Sequence, residues 1–159
     1  MKPQRAQDPF DWPHLRDLLA RAFAGMEGRI DPPSSLHDLT AGDIAAQAVV
    51  GEVWVIGAPA VACVFLTPRA HSLYLGKLAV DPAVQRMGYG RRLIGVAEMR
   101  AHALGLPTLE LSTRIELKEN HAAFRALGFV QTGQSAHPGF DVPTTLNFIK
   151  HLGSAAHQS

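Results

Sequence analysis

The stretch Leu78-Ala79-Val80-Asp81-Pro82-Ala83-Val84-Gln85-Arg86-Met87-Gly88-Tyr89-Gly90-Arg91-Arg92-Leu93 closes one element, turns, and opens another. Upstream of it, His71 to Val80 carries Leu73, Leu75 and Ala79 on one parity and Leu78 and Val80 on the other. Apolar residues on both parities predict a central strand covered on both faces, and Asp81-Pro82 stops it. Downstream, Leu93, Ile94, Ala97, Ala101 and Leu104 recur at helical spacing up to Gly105. A strand that ends in a glycine-rich turn and opens into a helix presents unpaired N–H groups at the positive end of the helix dipole, which suits an anion. Gly88 and Gly90 let backbone approach a phosphate, and Arg86, Arg91 and Arg92 add charge. Two glycines alone are a weak signal, and a tight turn with solvated arginines is their plainer reading. Spacing narrows the choice of ligand: the chain has no Gly-Lys-Ser/Thr of a P-loop, and the third position of a dinucleotide fingerprint is Leu93.

Outward from this stretch, Leu15, Leu18, Leu19, Ala22, Phe23 and Met26 predict an amphipathic helix over 12–26, ended by Gly28 and Pro32-Pro33. Ser35 and Asp38 form a capping-box pattern ahead of a weaker helix with Leu39, Ile44 and Ala48. Val53 to Ile56, the break Gly57-Ala58-Pro59, and Val61 to Leu66 read as a hairpin. Leu109 to Thr113 is a short strand, Asn120 to Leu127 a short helix, and Phe129 to Thr132 and Thr145 to Ile149 the last strands.

A chain of 159 residues fits one compact domain, expected over 1–153, and residues 154–159 are small and polar enough to fray. Apolar content of 47% and charged content of 18% argue against long-range disorder. The formal charge of +1, with arginines spread along the chain, speaks against a nucleic-acid partner. No run approaches the ~20 apolar residues of a membrane span, and the polar start, Met1 to Pro13, lacks the apolar segment of a signal peptide. The expectation is a cytoplasmic protein without membrane contact. No Cys/His grouping has metal-site spacing, so no metal is expected. The lone Cys63, inside the apolar run 61–66, reads as a buried strand residue and not a nucleophile.

What remains resembles the GNAT superfamily of acyl-CoA-dependent N-acyltransferases. That family's signature is a strand ending in Val-x-Pro, followed by Gln/Arg-x-x-Gly-x-Gly/Ala and a helix. Val80-Asp81-Pro82 and Gln85-Arg86-Met87-Gly88-Tyr89-Gly90 match it in full. Its later element, an Asn with a short helix closing in Gly-Phe, is matched by Asn120 through Gly128-Phe129. The resemblance spans 49–149. It implies an α/β (α+β) fold: a mixed, mostly antiparallel sheet of about six to seven strands, splayed between 71–80 and 108–113 and flanked by about four helices.

The resemblance also implies roles. Leu78, Ala79 and Val80 hold the place of the strand that binds the pantetheine arm of acetyl-CoA. Gln85, Arg86, Met87, Gly88, Tyr89, Gly90 and Arg91 hold that of the pyrophosphate loop. Asn120 matches a residue that hydrogen-bonds the arm, although Asn is also a favoured helix N-cap. Phe124 lies beside the cofactor where many members carry a tyrosine that protonates the departing thiolate, and phenylalanine has no proton to give. Glu110 is a candidate base or an ion-paired carboxylate; Ser112 and Tyr74 are candidate acids. The acceptor would meet 26–36, 113–117 and 137–145, with Arg29 or Arg114 recognising it, while His102 and His121 read as surface residues. The implied activity is direct acetyl transfer from acetyl-CoA to a primary amine of a small molecule or peptide in a ternary complex. A CoA-binding sensor or interaction module is the alternative, and a homodimer is left open.

Overall fold

The computed structural model describes residues 1–153, except the side chain of His37; the tail expected to fray, 154–159, lies outside the described residues. Seven strands form one sheet: β1 (Gln4–Arg5), β2 (Glu52–Ile56), β3 (Ala62–Pro68), β4 (Ser72–Val80), β5 (Thr108–Arg114), β6 (Val130–Ser135) and β7 (Thr145–His151). Their order is β1-β2-β3-β4-β5-β7-β6, with β4 and β5 the parallel neighbours and every other pairing antiparallel. Among the described residues four α-helices flank the sheet: α1 (Trp12–Phe23), α2 (Ala41–Val50), α3 (Tyr89–Ala103) and α4 (Lys118–Ala126). This is the mixed, mostly antiparallel α/β architecture expected of the chain.

Period-two alternation sorts the strand residues into two cores. Val53, Val55, Cys63 and Phe65 bury against Leu15, Leu18 and Leu19 of α1 and Ile44 of α2. On the opposite face Leu73, Leu75, Leu109 and Leu111 bury against Leu93, Ile94 and Ala97 of α3, with Phe129 and Phe148. Two covered faces explain why the central strands read as nearly continuous apolar runs.

The helix boundaries show where local patterns competed. The capping box of α2 is Thr40 with Asp43, each side chain paired to the other's backbone, whereas Ser35–Asp38 is a separate 3-10 turn capped by Ser34. Both sites satisfy the same local rule, and the true helix begins at the later one. The first helix ends at Phe23 and continues only as a 3-10 turn, Ala24–Met26. The short edge strand β1 has no sequence pattern of its own and forms by pairing Gln4 with Val55 and Arg5 with Trp54.

A buried ion pair ties the sheet to α3. Glu52, 5% exposed, accepts two hydrogen bonds from Arg100, at 2.7 and 2.8 Å, and one from the Trp54 indole at 2.8 Å. The Arg100 hydrogen bonds, helped by Trp54, hold the Glu52 carboxyl below its usual range against the cost of burial. Arg100→Met leaves that carboxylate buried with the Trp54 indole as its remaining donor and no countercharge from α3, and should cost about 3 kcal/mol in urea unfolding at neutral pH. Because the folded pKa lies below the unfolded one, the pair's contribution is complete above the ordinary carboxylate range and lost as pH falls. The variant should therefore lose less stability than wild type between about pH 5 and pH 3.

Candidate active site

The site begins where β4 and β5 part. Their parallel ladder runs from Ser72 opposite Thr108 to Leu75 opposite Leu111 and stops. Beyond it β4 stays paired with β3 as far as Val80, and β5 stays paired with β7 as far as Arg114, so a gap opens between two strands that are each held from outside. A bulge produces the divergence: Cys63 faces Ala79 while Phe65 faces Gly76, so β4 has one residue more than β3 there. Lys77 lies in the bulge at φ 48, left-handed backbone uncommon for a residue with a side chain. Its carbonyl accepts from the Cys63 thiol at 3.6 Å. Its ammonium donates to Gln47 at 3.1 Å and sits 5.1 Å from the Phe65 ring centre, where burial pushes its pKa down. Burial pushes the Cys63 thiol up to about 12, so the inert strand position expected of it holds.

A cavity of ≈ 270 Å³ fills the gap, and its wall brings together Tyr74, Leu78, Ser112, Arg114, Asn120 and Phe124 of the expected site residues. Ala79 and Val80 lie further along β4; Ala79 is buried in the core under α1 and α2, and Val80 packs on the opposite core. Tyr74 is overlain by the Arg69 guanidinium, whose carbon is 4.0 Å from the ring centre. Arg69 in turn lies 3.3 Å from Glu110, which also accepts from the Ser72 hydroxyl. Glu110 is thus engaged by two donors at the closed end of the splay and is not part of the cavity wall. Ser112 donates to Asn147 at 2.9 Å. Phe124 packs against Phe129 and Phe148, with ring centres 5.8 and 6.4 Å away. Asn120 is the third residue of α4, whose N-cap is Leu117, so capping does not account for it.

Beyond β4, Asp81 caps the 3-10 turn Pro82–Val84 by accepting from the Ala83 amide at 3.0 Å, and pairs with Arg21 of α1 at 3.1 Å. Gln85 to Gly88 then lead into α3, with Arg86 at φ 68 and Gly88 at φ 84 as the N-cap. No side chain caps this helix, and its first backbone bond between loop and helix runs from the Arg92 amide to the Gly88 carbonyl. Gly88 is required by its backbone. Gly90 is different: its φ is helical, and a Cβ there would meet nothing within 4 Å. Neither backbone nor packing asks for glycine at 90, which leaves room for a ligand against the start of α3. Arg92 donates to the Met1 carbonyl and so serves the N-terminal segment.

The arginines expected to meet the acceptor are occupied within the chain. Arg114 donates to the carbonyls of Pro32 and Pro33 at 2.7 and 3.4 Å, and Arg29 pairs with Glu119 at 2.7 Å. With the Asp31 amide donating to Glu116 at 3.2 Å, these contacts strap residues 29–33 across the end of β5 and the start of α4. His121, expected on the surface, is buried: its ring donates Nε2–H to the Arg114 carbonyl at 2.9 Å and lies 5.9 Å from Phe148. The acceptors in this strap are largely backbone carbonyls of distant loops, for which no residue pattern exists.

The fold is thus a mixed α/β sheet splayed beside a helix start that no side chain of the described residues caps. Residues 6–129 match the acetyltransferase (GNAT) family, and the chain belongs to that family. Among solved structures it is similar to an acetyltransferase from Streptococcus agalactiae, with 19% identity over 95% of this chain and 98% of that one, and a TM-score of 0.72. It is also similar to a GNAT family acetyltransferase from Elizabethkingia anophelis with acetyl-CoA bound, with 17% identity, coverage of 95% and 97%, and a TM-score of 0.68. A third, the ribosomal-protein-S18-alanine N-acetyltransferase from Escherichia coli, has 18% identity, coverage of 96% of each chain and a TM-score of 0.68. No curated protein matches the chain by sequence.

Arg114→Ala should release the strap while the fold persists. Hydrogen exchange of amides in 29–36 should quicken at least ~10-fold, with a loss of about 1–2 kcal/mol in global stability.

Proposed function

We propose that the protein transfers an acetyl group from acetyl-CoA to a primary amine of a small molecule or peptide, directly, in a ternary complex. The observation that carries this reading is the open β4 edge leading into an α3 start that no side chain caps and that a Cβ at Gly90 would leave uncrowded. An unpaired strand edge suits an amide-bearing arm as an added strand, and the helix start suits its pyrophosphate. Acetyl-CoA fits these residues, and it supplies an acyl group activated as a thioester.

Under this reading Gly76 to Leu78 supply backbone groups at the gap, where N–H donors polarise the acyl carbonyl. As the acceptor nitrogen forms the new C–N bond the C–S bond breaks, the amine loses a proton and the thiolate gains one. Phe124 cannot donate. Of the two candidate acids, both on the wall, the Ser112 hydroxyl already donates to Asn147, which favours Tyr74 as the proton donor. Glu110, held by Arg69 and Ser72, positions Tyr74 through the guanidinium stacked on its ring. Asn120 offers its amide to the arm, and Arg86 and Arg91 place positive charge beside the loop.

A second reading, a CoA-binding module without efficient turnover, is favoured by Phe124. Thiol release from acetyl-CoA across a panel of amines separates the two: release with any acceptor supports the enzyme, and tight acetyl-CoA binding with none supports the module.

Gly90→Ala should keep or raise thermal stability, since alanine is favoured over glycine in a helix by about 1 kcal/mol. Acetyl-CoA binding by calorimetry should survive that change, since the family's signature admits alanine at this position, and should fall at least ~10-fold in Gly90→Leu, whose longer side chain reaches the space of the anion. Tyr74→Phe should lower kcat ~100-fold at unchanged acetyl-CoA affinity, in line with loss of a general acid, while Ser112→Ala should change it less than ~3-fold.

A further inference from the structure

A second cavity, of ≈ 450 Å³, adjoins the first between α1 and the strapped loop, and Phe23 and Met26 form walls of both. It lies within the size range of small-molecule sites, roughly 300–1,000 Å³. Leu19, Phe23, Met26, Ile30, Pro33 and Leu36 are half of the residues that line it. Among the described residues on its wall only Arg16 and Glu27 are charged, and they are of opposite sign. Arg16 is directed elsewhere: its Nε donates to the Leu39 carbonyl at 3.1 Å and its guanidinium lies 3.9 Å from Asp17. Such a wall gains free energy by covering apolar surface and cannot compensate several buried ammonium groups.

We infer that this cavity takes the apolar body of the acceptor, so that the substrate is a small primary amine carrying an aryl or branched alkyl group whose nitrogen reaches the β4/β5 gap past Phe23 and Met26. The inference rests on the N-acetyltransferase reading for the transfer itself, but not for the binding of the apolar body. Charge recognition by Arg29 and Arg114 is not needed, since both are engaged in the strap that shapes the cavity's rim. Specificity then follows shape and apolar area, and a polyamine or a lysine side chain in a basic peptide is a poor acceptor.

The experiment compares 2-phenylethylamine, ethylamine, spermidine and a lysine-containing peptide as acceptors with acetyl-CoA, in wild type and in Ala20→Phe. Ala20 is an exposed residue of α1 on the cavity wall, so a ring there fills the cavity without entering the core. Binding of 2-phenylethylamine in the presence of CoA is measured separately by calorimetry. We expect kcat/KM for 2-phenylethylamine to exceed that for ethylamine by about 10- to 100-fold. Ala20→Phe should cut that preference, and the affinity for 2-phenylethylamine, at least ~5-fold. Transfer that is equal for all amines, or fastest to spermidine or the peptide, overturns the inference while leaving the N-acetyltransferase reading intact. Binding of 2-phenylethylamine that Ala20→Phe weakens, with no transfer to any amine, supports the apolar site and overturns that reading. Absence of 2-phenylethylamine binding, or binding indifferent to Ala20→Phe, overturns the inference.

Discussion

Lys77 occupies left-handed backbone, a conformation that costs a substituted residue about 1–2 kcal/mol. The surroundings hold it there: Gln47 and the Phe65 ring engage its ammonium, the Cys63 thiol reaches its carbonyl, and β3 resumes pairing on both sides of the bulge. The extra residue turns β4 away from β5 just after Leu75, while β7 keeps β5 on course. Without that turn the two parallel strands could continue their ladder, and neither a gap nor an unpaired strand edge would exist. The strain sits where it separates two strands whose neighbours remain fully paired.

The gap divides the labour between the faces of the sheet. On the α3 side the contacts available to a ligand are backbone: the free edge of β4 and the uncapped start of α3. On the α1 side they are side chains: Tyr74 in the gap, then Phe23, Met26 and the apolar wall beyond. Backbone recognition depends on path and on the absence of side chains, which is why Gly90 is informative. Side-chain recognition depends on what the loop after α1 carries, and that loop is irregular from Gly28 to Ser34. One face therefore suits a constant ligand and the other a variable one, a division consistent with the proposed reaction.

Much of this was legible in the order of residues. Both-parity apolar runs announce covered central strands, the glycine loop announces the helix start, and Asn120 to Phe129 marks the last short helix. The less legible features share a cause. Thr40 and Asp43 defeated Ser35 and Asp38 as the helix start because two local patterns satisfied one rule. His121 was read as exposed from its polar neighbours, yet the Arg114 carbonyl and Phe148 bury it. Arg29 and Arg114 read as substrate contacts because arginines beside a cleft suit that role. Their partners, Glu119 and the carbonyls of Pro32 and Pro33, are 81 to 90 positions away in the chain. Charge is visible in a sequence; which distant group has already claimed it is not.

These contacts bear on what the proposed acceptor site would recognise. An arginine that donates to two backbone carbonyls is held in one place, and withdrawing it toward a substrate carboxylate would leave those carbonyls to water or to nothing. The strap is also reinforced from below, because the carbonyl of Arg114 accepts from His121 while its guanidinium reaches the loop. One residue thus joins the end of β5, the helix α4 and the loop that forms the cavity rim. Arg114 thereby fixes the loop, and the cavity beside that loop is lined chiefly by Leu, Ile, Phe, Met and Pro. Discrimination by such a wall comes from area covered, at about 25 cal/mol per Å², and its selectivity rises with the size of the apolar group until the cavity is full. Under the proposed reading the strap sets the upper limit on acceptor size, and the wall behind it the lower limit on affinity.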